Sequence, residues 1–268
     1  CSNNLCVSAS GPTYYVDPNG DDDKGDGSIN DPWFSLAKAW YATPASTMIY
    51  MRGGTYRGYP GTIRLKDKSG TAENMINVWN YPGEHPIIDY GGFTATSEEN
   101  VLSLRNINYV HFKGIRITNL VQVPDAVVLR GMILWDNVNN CIFEQMETDY
   151  IGGWGVTIGD NSNNNLFLNF DSHHNTDPYS EDAYGGADGF QTGSPTSTNN
   201  IFRGCRSWSN SDDGWDFRMA KGLYIVENSW SFWNGYKEDG VTPGGNGEGF
   251  KAGTSAVSST SETRRIIK

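Results

Sequence analysis

Basic residues are scarce in this 268-residue chain and nowhere clustered: 20 Lys and Arg stand against 31 Asp and Glu, a net charge of −11. The positive footprint that nucleic-acid binding requires is therefore missing. An acidic partner would need a cation between it and this protein. Long apolar runs are also missing, so no segment reads as a membrane span. Cysteines number only four, too few for a disulfide scaffold. Cys141 and Cys205 sit in apolar, strand-like runs and read as buried free thiols. Cys1 opens the chain with no leader ahead of it, as in a processed or trimmed protein. It reads equally as the lipid-bearing first residue of a bacterial lipoprotein, as half of a bridge to Cys6, or as an arbitrary boundary.

What is present is a folded composition. Hydrophobic residues make up 37% and aromatics 13%, which argues against disorder. The 32 glycines and a surplus of Asn point to many turns. The strongest pattern is repetition. "IFEQMETDYI" from Ile142, "LFLNFDSHHN" from Leu166, "IFRGCRSWSN" from Ile201 and "IVENSWSFWN" from Ile225 align with one another. Asn pairs introduce three of them, and Asn175, Asn210 and Asn234 close three at the same place. A second element follows each: "GGWGVTIG", "ADGFQTG", "DDGWDFR" and "GEGFKAG", aligned on Gly155, Gly189, Gly214 and Gly249. Upstream, "MIYMRGGTYRG" and "YVHFKGIRITNL" read as earlier coils. Short strands at this period predict an all-β solenoid of stacked parallel coils. A fixed-turn Asn would complete its amide hydrogen bonds along the stack. Leucine-rich repeats need Leu at fixed positions, which this chain lacks.

Residues 1–268 read as a single domain with a tail over 1–10. "DPWFSLAKAWYATP" predicts one short capping helix over 31–43, with Asp31 as N-cap, Pro32 at the first helical position and Phe34, Ala37 and Trp40 on one face. "ETRRIIK" reads as the start of a further coil, so C-terminal coils are expected to be missing. "NGDDDKGDGS" at 19–28 lacks Asp-x-Asp-x-Asp-Gly spacing and reads as a loop, with a second metal there left open.

The stretch "SDDGWDF", residues 211–217, concentrates negative charge. If Trp215 and Phe217 point inward, Asp216 and Arg218 point out. In the repeat register, Phe190, Trp215 and Phe250 form an inner aromatic stack, and Gln191, Asp216 and Lys251 line the outside. Asp188 and Asp213 align one coil apart, with Asp212 beside them. Asp188, Asp212, Asp213 and Asp216 should thus converge on one outer patch next to Lys251. Bare, such a patch raises its own pKa values. Ca²⁺ resolves this, being a hard ion that takes 6–8 oxygen ligands. The lack of His and Cys argues against zinc or copper.

These residues resemble polysaccharide lyase family 9, the pectate lyases. The match rests on "ADGF" at 187–190, "NNIFRGCRSWSNSDDGWDF" at 199–217 and "GNGEGFKAG" at 245–253, in that order. "YYVDPNGDDDKGDGSINDPWFSLAKAW" resembles the opening of that family and of related enzymes. The resemblance implies a right-handed parallel β-helix. It implies that Asp188, Asp212, Asp213 and Asp216 bind a catalytic Ca²⁺ and that Lys251 is the base. The implied reaction is β-elimination on polygalacturonate, a plant cell-wall polymer, by a secreted enzyme; a monomer is the default expectation. Glu248 stands where that family is expected to have Asn.

Arg218 could hold a substrate carboxylate or pair with the aspartates. Trp154, Tyr179 and Tyr184 could stack on sugars or serve packing. Three other functions share parts of this pattern. Rhamnogalacturonan lyases occur in the same family. A polygalacturonase would use opposed carboxyls, as "NTD" at 175–177 and "SDD" at 211–213 suggest, but no His follows His174 to complete that pattern. A non-catalytic glycan-binding solenoid would have no need of Lys251.

Overall fold

A computed structural model describes residues 11–95, 98–124, 129–252 and 265–268. Cys1, Cys6 and the rest of the 1–10 tail lie outside the described residues. The chain winds into three parallel sheets of nine, seven and seven strands, and neighbours in each sheet come from successive coils. One coil shows the plan: Ile142–Glu144 joins the nine-stranded sheet, Glu147–Asp149 the second, and Gly153–Ile158 the third. This is the expected parallel β-helix.

The sharp bend between the first two strands of a coil needs a left-handed residue. Gly114, Asn169, Gly204 and Asn228 take it, with φ of 67°, 52°, 66° and 52°. Gly and Asn tolerate that region best, which accounts for part of their surplus. Inside, Phe112, Phe143, Phe167 and Phe202 stack in sequence at 5.6, 5.0 and 4.6 Å. Phe190, Trp215 and Phe250 stack beside them at 5.0 and 4.8 Å, as the repeat register requires. Cys141 and Cys205 are buried and free, and burial pushes both thiols up to about 12.

The asparagine ladder is continuous. Asn175 Nδ2 donates to Asn210 Oδ1 at 2.8 Å, and Asn210 Nδ2 to Asn234 Oδ1 at 2.9 Å. Asn210 Oδ1 also accepts the Asn175 backbone amide at 3.2 Å, and the whole residue is buried. Asn210→Ala strands two donors of Asn175. We expect a loss of about 3 kcal/mol, read as a lowered urea midpoint. A loss below about 1 kcal/mol would show that the ladder is dispensable.

The helix is shorter than the sequence suggests. It spans Leu36–Ala42, and its N-cap is Ser35, whose hydroxyl accepts the Lys38 amide at 3.0 Å. Asp31 and Pro32 lie outside it. Trp33 is held in a parallel bridge to Val16, with hydrogen bonds to Tyr15 and Asp17, so its backbone is not free to be helical. Asp22 Oδ1 then accepts the Phe34 and Ser35 amides and turns the chain into the helix. The buried face is Leu36, Ala39 and Trp40, not Phe34, Ala37 and Trp40. It packs on the strands Thr13–Val16 and Ile63–Lys66, each the first of its sheet. The acidic loop at 19–28 directs its carboxylates to backbone amides: Asp21 to Asp23 and Lys24, Asp26 to Ser28.

Candidate functional site

The site lies where the chain turns from the second sheet into the third. At this corner Ser172 Oγ donates to Gly189 O at 2.8 Å, and Ser207 Oγ to Gly214 O at 3.1 Å. A methyl on Gly155, Gly189 or Gly214 would overlap the hydroxyl of Ser172, Ser207 or Ser231. The repeated glycine is thus a close-approach position. It lets the preceding residue and the one after the aromatic project on each coil. Gln191, Asp216 and Lys251 are register partners on adjacent strands. Gly189 N donates to Asp213 O and Gly214 N to Glu248 O, which carries the same register back to Asp188, Asp213 and Glu248.

Oxygens of Asp188, Asp212 and Asp213 lie within 4.8 Å of one another. Asp216 stands at the edge of this triplet, its Oδ2 4.0 Å from Lys251 Nζ. Lys251 Nζ donates to Asp213 Oδ2 at 2.7 Å and lies 3.3 Å from Glu248 Oε2. The patch is outside the coils but not open: Asp188, Asp212, Asp213 and Asp216 are 2%, 2%, 0% and 5% exposed. Loop backbone closes over them. The Asn246 and Glu248 amides donate to Asp212 and Asp213, and the Asp213 amide to Asp188.

Burial dominates the electrostatics. It pushes Asp188 well above the carboxylate range, and the charges of Asp216, Asp212 and Asp213 add to that. Asp212 is raised for the same leading reason. Burial raises Asp213, the Lys251 hydrogen bond pulls it back, and Asp212 raises it again, to about 7. Burial alone would lower Lys251, but Asp213, Asp216 and Asp212 reverse this and hold its ammonium above the ordinary lysine value. Among the described residues, the cations paired with the four aspartates are Lys251 and Arg218. The donor set is all oxygen and short of positive charge, which suits a hard divalent ion such as Ca²⁺. Glu147, Asp149 and His173 form a second group on the neighbouring sheet. There Arg116 pairs with Asp149 and lies 3.3 Å from Glu147, so a protein cation already engages both acids.

Arg218 is about half exposed, with its Nε 3.8 Å from Asp216 Oδ2. Tyr184 supports Lys237, whose Nζ sits 4.4 Å from the ring centroid. Tyr179 is exposed. Trp154 does something that sequence reasoning missed: its Nε1 donates to Asp188 Oδ2 at 3.1 Å. The register held the signal, since Trp154 precedes Gly155 as Asp188 precedes Gly189. Trp154 and Asp177 also line a cavity of about 240 Å³ with Gly153, Glu181 and Asp182. Burial raises Asp177 to about 6.

Comparison with known proteins gives a consistent picture. Residues 14–268 match a family described as "Pel9A-like, right handed beta helix region". Pectate lyase L of Dickeya chrysanthemi is 30% identical, over 94% of this chain and 58% of that protein. Pectate lyase PEL9 of Emericella nidulans is 30% identical, over 89% of this chain and 62% of that protein. The chain thus spans about three-fifths of the length of these relatives. Among solved structures, pectate lyase Pel9A superposes with a TM-score of 0.76 at 28% identity, over 92% of this chain and 60% of that one. A rhamnogalacturonan lyase superposes with 0.75 at 27% identity, over 96% and 65%.

Proposed function

This chain belongs to the Pel9A-like, right-handed β-helix family, and on that premise we propose that it is a calcium-dependent polysaccharide lyase cleaving polygalacturonate by β-elimination. The observation that carries this reading is a lysine 2.7 Å from one of three clustered, buried carboxylates. A binding module has no need of a base there.

Asp188, Asp212, Asp213 and Asp216 would hold the ion. When bound, Ca²⁺ would tie the substrate carboxylate to these aspartates and acidify the adjacent C5 proton. Lys251 takes that proton on Nζ. The electron pair of the C5–H bond forms the C4=C5 double bond, the C4–O bond breaks, and the leaving oxygen is protonated from solvent. Nζ must be neutral to act. The aspartates oppose this and burial favours it, so the base is free only once the carboxylates are otherwise engaged. Activity is expected at alkaline pH. Glu248, 3.3 Å from Nζ, steadies Lys251 together with Asp213, and Arg218 would swing from Asp216 to a substrate carboxylate.

Trp154 supports the ion indirectly. Trp154→Phe keeps the ring and loses the donor to Asp188, and calcium affinity should fall about 10–100-fold by calorimetry. Unchanged affinity would mean that the indole does not orient Asp188.

The polymer is tested by mass analysis of products from polygalacturonate and from rhamnogalacturonan. Unsaturated oligomers from polygalacturonate support the main reading. The likeness to a rhamnogalacturonan lyase favours a second one, and products from that polymer alone would select it. Exclusively saturated products would reject a lyase. A polymeric wall substrate implies a secreted enzyme. Among the described residues no helix is long and apolar enough to cross a membrane.

A further inference from the structure

The outer column that carries Asp188 and Asp213 does not stop at the ion site. Gly155 N donates to Asp188 O, which places Trp154 one rung before Asp188. Trp154 pairs in register with Arg130, and Arg130 with Asn100. Arg130 therefore lies two rungs from Asp188, about 10 Å at ~4.8 Å per rung. Its guanidinium sits 5.0 Å from the centre of the Trp154 ring. Its Nη1 pairs with Glu98, whose side chain is 59% exposed, while the Arg130 side chain is only 13% exposed.

Polar atoms along this face lack partners. Arg130 Nε and Asn100 Oδ1 are buried with no hydrogen bond, as are Thr157 Oγ1 and Gln191 Oε1 in the adjacent column. Thr157, Gln191 and Asp216 are successive register partners. Buried polar groups are nearly always paired, so four unpaired ones leading to one site need an explanation. A polar polymer laid along the coils supplies one, with small rearrangements of these side chains on contact.

We propose that Arg130 holds the carboxylate of a second uronate unit of the substrate, distant from the unit whose bond is cut. The proposal rests on the polyuronate reading above. An arginine fork matches a carboxylate with two parallel hydrogen bonds. Arg130 is already packed against the Trp154 ring and largely buried, so little side-chain freedom is lost on binding. Glu98 is the solvent-exposed member of the pair, so a substrate carboxylate can take its place. The ion site and Arg130 would then engage the polymer at two points, which sets its register along the cleft.

The test is calorimetry in the presence of Ca²⁺ with galacturonate oligomers, using a Lys251→Ala protein so that nothing is cleaved. Adding Arg130→Gln should weaken binding of long oligomers about 10–100-fold. Galacturonate monomer, whose single carboxylate cannot engage the ion site and Arg130 together, should bind both proteins equally. Arg130→Lys should fall between them, and calcium affinity should be unchanged in each. Long-oligomer binding that ignores Arg130→Gln, or no binding by the Lys251→Ala protein, would overturn the proposal. Equal losses for the monomer and for long oligomers, or a parallel loss of calcium affinity, would overturn it too, because Arg130 would then act through Trp154 and Asp188. If the wild type makes no unsaturated product yet long-oligomer binding depends on Arg130, the lyase reading fails and this inference stands.

Discussion

Lys251→Ala is expected to lower the rate of unsaturated-product formation by about 10²–10⁴-fold, the usual worth of a positioned general base. The same substitution should leave calcium affinity unchanged or make it tighter. Lys251 is the cation bonded to Asp213 Oδ2 at 2.7 Å, and in the ion-free protein it competes for an oxygen that the ion would use. Its removal takes away the competitor. A purely structural lysine would behave otherwise, since losing it would leave buried carboxylates unpaired and would cost stability and ion binding together. Rate and calcium affinity, measured on one preparation by product absorbance and calorimetry, separate the two roles. A rate within about tenfold of wild type would remove Lys251 as the base.

Removing calcium should have the second-largest effect, and it should depend on pH. Asp213 has its folded pKa raised from 3.8 to about 7, and Asp188 and Asp212 shift the same way. A carboxylate whose folded pKa is raised contributes stability below its unfolded pKa and loses it as pH rises through the folded value. The calcium-free protein should therefore lose stability between about pH 4 and pH 7, by on the order of a few kcal/mol. Glu144, held at about 2 by His111 and Lys113, works in the opposite sense, but only below pH 4.5. Calcium replaces the missing protons, so it should raise the melting temperature by roughly 5–10 °C at pH 7 and by much less at pH 4. A calcium effect equal at both pH values would mean that these aspartates are not its ligands.

Much of this was legible in the sequence because the coils repeat. Asn175, Asn210 and Asn234 recur where the ladder needs them, and the glycines before Phe190, Trp215 and Phe250 fix the register that brings Asp216 beside Lys251. The likeness to polysaccharide lyase family 9 came from the same motifs and agrees with the family match. Contacts outside the repeat were not legible. The helix start was misplaced because Trp33 bonds to Tyr15 and Asp17, a pairing with no periodic trace. The burial of the aspartates depends on the loop that supplies the Asn246 and Glu248 amides, and strand alternation says nothing about where a loop folds back. Arg130 was obscured because the coil containing it is irregular, its register shifting between Trp135 and Val138.

The most direct test of the account is the ultraviolet absorbance of the new conjugated double bond during incubation with polygalacturonate at alkaline pH. One arm contains Ca²⁺ and the other a chelator. The account predicts a steady rise with Ca²⁺ and none with the chelator. Chain cleavage without the chromophore, or a rise that the chelator leaves intact, would contradict it.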